Sequence, residues 1–486
     1  MHPRVHTQQG DVEGRQQEGI FWFLGLPFAR PPVGDLRWRP PAPPERWDGV
    51  RPATRFGPAC PQFIPAMFNL RTQDKSEDCL YLNIWTPELG GQGRQPVMVW
   101  IHGGGYLYGA GSEDGFDGAR LASRGVTVVT VNYRLGAFGL AAHPAIGANF
   151  AILDHIAALT WVADNIQAFG GDPGNVTVFG QSAGAVSVRS LLAAPKARGL
   201  FHRAIMQSGG GEPIAAAPNP PAAPARAVTA TAELFDRLGG ADLSVLRHVP
   251  TAQIAALSHE LSGAVPPAGQ VHTPANLVWT PLPDNDVLSA TGFPGAPTEL
   301  PILLGHVTNE ARYFIKPTGT YPDAIIERMA RALAGAEADD VLAELRSHQL
   351  TSYEALDLLF TTAIFVEPAY AALQRSSLLG HPAYYYRFDR VSPGGRRTGE
   401  LAKHTCDIRY VFGNLDPADD YDQIDRGVSD AMQSAWVEFA RTGVPASGSA
   451  WPRFDPAAPK LSVIADAVRL RPLVTAKLTE IIAAQR

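Results

Sequence analysis

The stretch from Val176 to Ala194 constrains the fold of this chain more than any other. An apolar run, Val176 to Phe179, enters Gly180-Gln181-Ser182-Ala183-Gly184, and Ala185 to Ala194 can continue as a helix until Pro195. A strand that turns at once into a helix opens a crossover, and crossovers join the strands of parallel sheets. The pentapeptide matches G-x-S-x-G, which chance alone would supply roughly 0.3 times in a chain this long, so its position between strand and helix carries the weight. The glycines permit a sharp turn with an unfavourable backbone angle at Ser182. The helix that follows points its first N–H groups at any negative charge developing there.

The same alternation runs through much of the chain. Val97 to Ile101 and Val126 to Val131 are short apolar runs of the kind buried on both faces of a sheet. Apolar residues at 152, 156, 159, 162, 166 and 169 fall on one helical face, stopped by Gly170-Gly171-Asp172-Pro173. Ala204 to Gln207, Ile302 to Leu304 and Ala383 to Phe388 are further strands, whereas the Pro- and Trp-rich N-terminal third reads as loops with short strands. These features predict an α/β fold with a mostly parallel central sheet flanked by helices. A length of 486 residues would suggest about three domains. Sheets of this class also grow by insertion, and the reading is one domain over 1–486. A mostly helical region is inserted around 210–300, opened by an Ala/Pro-rich surface loop from Pro213 to Arg226, with further helical insertions around 320–380.

A second glycine cluster, His102-Gly103-Gly104-Gly105-Tyr106, follows the strand ending at Ile101. Three successive glycines leave backbone N–H groups open to a carbonyl oxygen, as an oxyanion hole requires. Neither G-x-G-x-x-G nor G-x-x-x-x-G-K-[ST] occurs here, which disfavours a phosphate loop. A serine on such an elbow works with an acid and then a histidine, in that chain order. Glu310 lies just past the strand Ile302 to Leu304, and only His348, His381 and His404 follow it. His348 sits in a helical, solvated stretch. His381 precedes the strand Ala383 to Phe388, at the wrong end. His404 comes after that strand and is the candidate base.

Composition excludes several other classes. The formal net charge of −6 comes with no basic stripe, so no nucleic-acid partner is expected. No uninterrupted apolar run approaches the roughly 20 residues of a membrane span, and Met1 to Gly10 is polar, giving an expectation of a cytoplasmic protein. The three cysteines form no CxxC pair and no metal-type spacing. Neither a metal nor a cofactor is expected.

In order along the chain stand Phe23 to Ala29 and Pro31-Pro32-Val33-Gly34, then Ser76 to Trp85 and the glycines after His102. Asn132-Tyr133-Arg134-Leu135-Gly136, Phe169 to Pro173, the serine elbow, Gln207-Ser208-Gly209 and His404 to Gly413 follow. In these motifs the chain resembles the type B carboxylesterases, bacterial relatives of the cholinesterases, over nearly its whole length. The resemblance implies an α/β-hydrolase fold with large helical insertions. It implies the catalytic set Ser182, Glu310 and His404, and oxyanion donors at Gly104, Gly105 and Ala183. It also pairs Cys60 with Cys79 at the positions of a small disulfide loop in secreted relatives. Two departures stand out: Gln181 where the family usually has Glu, and His155 where it usually has Gln. The first adjoins the nucleophile and bears on rate and charge preference. The expected activity is hydrolysis of a small-molecule carboxylic ester through an acyl-enzyme on Ser182. An amidase or lipase with the same triad, or a non-catalytic binding module, are the competing readings. The sequence leaves the assembly open between a monomer and a small homo-oligomer.

Overall fold

The structure, a computed structural model, describes residues 2–63, 70–90, 94–211, 223–240, 242–264, 276–289, 299–317, 319, 321–416, 420–446 and 450–484. Its strands, in chain order, are β1 (Arg4–Thr7), β2 (Gly10–Glu13), β3 (Arg15–Gln17), β4 (Ile20–Pro27), β5 (Val50–Pro52), β6 (Tyr81–Thr86) and β7 (Gln95–Ile101). They continue with β8 (Thr127–Val131), β9 (Gly171–Gln181), β10 (Arg203–Gln207), β11 (Ile302–Val307), β12 (Ala383–Phe388), β13 (Lys460–Ile464) and β14 (Val468–Pro472). An 11-stranded sheet runs β14-β13-β12-β11-β10-β9-β7-β8-β6-β4-β3, and β1-β2-β5 form a small separate sheet. From β13 to β8 every neighbouring pair is parallel. Antiparallel pairs finish both edges.

The order places β8 on one side of β7 and β9 on the other, so the chain reverses its direction of travel across the sheet at β7. Open α/β sheets bind ligands at the carboxyl ends of strands at such a switch point. Here those ends carry the glycine cluster after β7 and Ser182 after β9.

The sheet holds because its strands are buried on both faces. Along β7, Val97, Val99 and Ile101 enter one core while Met98 and Trp100 enter the other. The helices Phe150–Asn165 and Ala183–Ala193 cover the first face, and Gln423–Thr442 covers the second. All six residues of the predicted helical stripe are buried, and Gly170, at φ 83°, ends the 3₁₀ turn that finishes it.

The N-terminal third contributes more sheet than its Pro-rich composition suggests: β4 has eight residues and belongs to the main sheet. In the inserted region, the helices Ala223–Arg237, Leu243–Leu246 and Thr251–Glu260 are described. Of the predicted loop from Pro213 to Arg226, positions up to 222 lie outside the described residues, and its end belongs to the first of these helices. The helix Ser352–Leu378 contains an 18-residue stretch of mean hydropathy 1.4, long and apolar enough to cross a membrane, although no single apolar run in it is. With 72 % of that stretch buried, its apolar side faces a third core with Ile326, Val341 and Ile482.

Candidate active site

Ser182 occupies a turn one residue wide between β9 and the helix Ala183–Ala193, with φ 57° and ψ −124°. A non-glycine residue in this region is strained, and the surroundings must hold it there. Its N–H donates to Gln207 O at 2.9 Å. The turn is possible only because glycines flank it. A Cβ on Gly184 would lie 2.0 Å from Ile101 O, and one on Gly103 would lie 2.8 Å from Gln181 O and 3.1 Å from Ser182 Cβ. The glycine loop after β7 therefore packs directly on the Ser182 turn.

Gly104 has φ 97°, and a Cβ there would collide with Tyr108 O. Among the described residues no hydrogen bond leaves the N–H of Gly104 or Gly105. Ala183, first in its helix, has no intrahelical acceptor. The N–H groups of Gly104 and Gly105 after β7 and of Ala183 after β9 are thus left without a backbone acceptor, and the helix dipole adds to the last of them.

Glu310 follows β11 in a short 3₁₀ turn, Glu310–Tyr313, and is wholly buried. One carboxylate oxygen accepts from Val307 N at 2.9 Å. The other lies 2.5 Å from His404 Nδ1. His404 is itself 1 % exposed, and its loop is held by a bridge between Asn309 and Lys403. In a neutral ring with its proton on Nδ1 facing Glu310, Nε2 carries the lone pair. Gln181 Nε2 stands 3.0 Å from it and 3.4 Å from Nδ1. No hydrogen bond from Ser182 Oγ to His404 occurs among the described residues; such bonds are often long until substrate binds.

The rings of Tyr313, Phe314 and Phe365 wall His404 at 5.6, 5.3 and 5.1 Å. Burial raises the Tyr313 phenol well above its usual range, so it stays neutral. Burial also lifts the Asp407 carboxyl to about 6, although Gln207 and Tyr386 donate to it. Glu113, electrostatically coupled to Tyr313, is pushed by burial to about 8 and is mostly protonated at neutral pH. The walls around His404 are therefore aromatic, and Glu113 adds little charge near them at neutral pH.

Sequence reasoning named Ser182, Gln181, Glu310, His404 and the glycine loop, all brought together here, but not Glu113, Asp407 or the aromatic wall. Tyr313 and Phe314 could have been inferred from their place just after Glu310, whereas nothing local marks Phe365. His348 is half-exposed and pairs with Glu344, while His381 is buried with Nδ1 3.2 Å from Leu300 O. Neither reaches the site. No group of three His, Cys, Asp or Glu side chains able to hold a metal is found among the described residues.

Residues 1–477 match the model of the carboxylesterase family. The chain is 37 % identical to the fumonisin B1 esterase of Sphingopyxis macrogoltabida, over 93 % of this chain and 84 % of that protein. It is 35 % identical to the para-nitrobenzyl esterase of Bacillus subtilis, with 93 % of each covered. A solved thermophilic para-nitrobenzyl esterase superposes with a TM-score of 0.86 at 33 % identity, covering 99 % of this chain and all of that one. A shared fold and a match along almost the whole length lead to one conclusion: the chain belongs to the carboxylesterase family and is a serine carboxylesterase with the α/β-hydrolase fold.

Proposed function

We propose that Ser182 is the nucleophile, His404 its general base and acid, and Glu310 the carboxylate that orients the histidine, with Gly104, Gly105 and Ala183 as oxyanion donors. The observation that carries this reading is the buried His404–Glu310 pair beside a serine held at φ 57°. Ser182 attacks the ester carbonyl as His404 Nε2 takes its proton. The oxyanion is stabilised by the three backbone N–H groups, which are fixed before reaction and need no reorganisation. His404 then protonates the departing alcohol, and water repeats the sequence on the acyl-enzyme.

Within this scheme the favoured substrate is a neutral ester with an apolar or aromatic portion. Tyr313, Phe314 and Phe365 supply flat apolar surface at the base, and Gln181 brings no charge. The Bacillus subtilis relative carries the name of a para-nitrobenzyl esterase, and an aromatic alcohol of that kind suits such a wall.

Ser182→Ala tests the assignment. Turnover of a soluble nitrophenyl ester should fall about five to six orders of magnitude with the fold intact, as when serine hydrolases lose their nucleophile. An organophosphate should label Ser182 in the parent protein. Residual activity above about one per cent of the parent, far beyond what the oxyanion donors alone supply, would overturn it.

A further inference from the structure

We propose that Arg312 and Asp357 form a positioning pair that clamps the Glu310 turn to the loop bearing His404 and thereby sets the geometry of the catalytic dyad. Arg312 lies two residues after Glu310. Its Nε donates to Asp357 Oδ2 at 2.6 Å, and its Nη1 donates to the carbonyl of Gly399 at 2.8 Å. Gly399 opens the segment that reaches His404 five residues later. One guanidinium therefore holds the histidine loop and a carboxylate of the helix Ser352–Thr361 at once. Its plane also lies over the Tyr353 ring at 5.0 Å.

Asp357 gathers the acid turn from both sides of Glu310. Its Oδ2 accepts from Asn309 Nδ2 at 3.0 Å, and its Oδ1 accepts from Thr361 Oγ1 at 3.2 Å. Thr361 Oγ1 in turn accepts from Ala311 N at 3.3 Å. The backbone adds a bond from Asn309 N to Ala402 O at 3.0 Å. The residues immediately before and after Glu310 are thus fixed to one carboxylate or to its hydroxyl partner.

The side chains of the pair are 12 % and 6 % exposed, so solvent screening, which makes surface pairs weak, is largely absent. Burial of two charges is costly, and an apolar pair of similar size could give equal stability. What apolar groups cannot give is direction. A planar fork with separate donors for Asp357 and Gly399 fixes two backbone segments relative to each other, and a lysine cannot reproduce it. The pair acts through Glu310 and His404.

The test measures kcat and KM for a neutral nitrophenyl ester in Arg312→Met, Arg312→Lys and Asp357→Asn. Each rate is divided by the number of sites found in an end-point titration with a nitrophenyl phosphonate, and melting temperatures are recorded alongside. In Arg312→Met, kcat per titrated site should fall about tenfold to a hundredfold, the cost of small misplacements in a catalytic array. KM should stay within about twofold, because no binding contact is removed. Arg312→Lys keeps the charge opposite Asp357 but loses the bond to Gly399, and its kcat should be intermediate. A purely structural pair would lower the titrated fraction or the melting temperature and leave kcat per site unchanged. That outcome in the folded variants overturns the proposal. Should Arg312→Met fail to fold, parental kcat per site in both Arg312→Lys and Asp357→Asn overturns it equally. The inference rests on the Ser182–His404–Glu310 reading, and the two fail differently. Parent enzyme that takes up no phosphonate would overturn the triad, whereas full uptake with unchanged variant rates would overturn only the clamp.

Discussion

Gln181 adjoins Ser182 in the chain and His404 in space, its amide nitrogen 3.0 Å from His404 Nε2. A carboxylate here would stabilise the imidazolium that forms as Ser182 loses its proton, and would attract cationic substrates. The amide keeps the shape and removes the charge. Gln181→Glu should therefore raise the apparent pKa of the acid limb of the kcat/KM profile and improve cationic esters relative to neutral isosteres. Should the limb stay put and the substrate ratio not rise, residue 181 is not electrostatically coupled to the chemistry. Cys60 and Cys79 pose another single-residue question. Both are buried and unbridged in this structure, and the Cys79 thiol is held well above its usual pKa by its hydrogen bond to Cys60 and by burial. A protonated, inaccessible thiol reacts slowly. Unreduced protein, once denatured, should accordingly titrate all three thiols of the chain; a count of one would mean that the bridge had formed.

At the scale of elements, the helix Ser352–Leu378 is interrupted by a π-helical stretch, Thr362–Val366. Pro368 gives the reason. It has no N–H to donate and its ring collides with the carbonyl four residues back, so the backbone widens just before it. The widened turn brings Phe365 onto His404. Phe365→Ala should lower stability by about 3 kcal/mol, as a buried aromatic truncated to a cavity does. It should also raise kcat/KM for bulky esters relative to acetates, checked by urea melts and a paired substrate panel; an unchanged ratio would remove Phe365 from the substrate wall. Such a register change shows where reading by sequence stops. The strands β7 to β12 were legible because each contains a short apolar run, and the Ser182 turn because strand, glycines and helix are contiguous. Glu310 and His404 were legible because chain order and strand ends left few choices. The C-terminal hairpin β13–β14 was not, since β14, with its pattern Val-Arg-Leu-Arg-Pro, is an exposed edge with little apolar signal. Arg312 and Asp357 are ordinary helical charges until the fold brings them together.

Across the whole molecule, buried titratable groups pull the pH dependence of stability in opposite directions. Burial lowers His102 to about 4 and His155 to about 3, and His155 has no hydrogen-bond partner for either ring nitrogen among the described residues. Unfolded, such histidines take up a proton below about 6.5; folded, they do not. Their contribution to stability is therefore lost as pH falls from 6.5 toward their native values. Glu113 and Asp407, raised instead, hold a proton natively where the unfolded chain is ionised, so the cost of burying them is relieved as pH falls over much of the same range. The opposition blunts the total, so the histidine effect must be read as a difference. Relative to the parent, His155→Gln should gain on the order of 2 kcal/mol between pH 7 and pH 5, measured by chemical denaturation at both values; a constant gap would mean that His155 is protonated natively. The switch at β7 has a consequence of another kind. The glycine loop after β7 comes early in the chain and His404 late, while β9, β10, β11 and β12 must stack between them before the two can meet. If the proposed triad holds, a growing chain on the ribosome keeps Ser182 idle until β12 and the loop bearing His404 have emerged, and esterase activity reports synthesis past that loop.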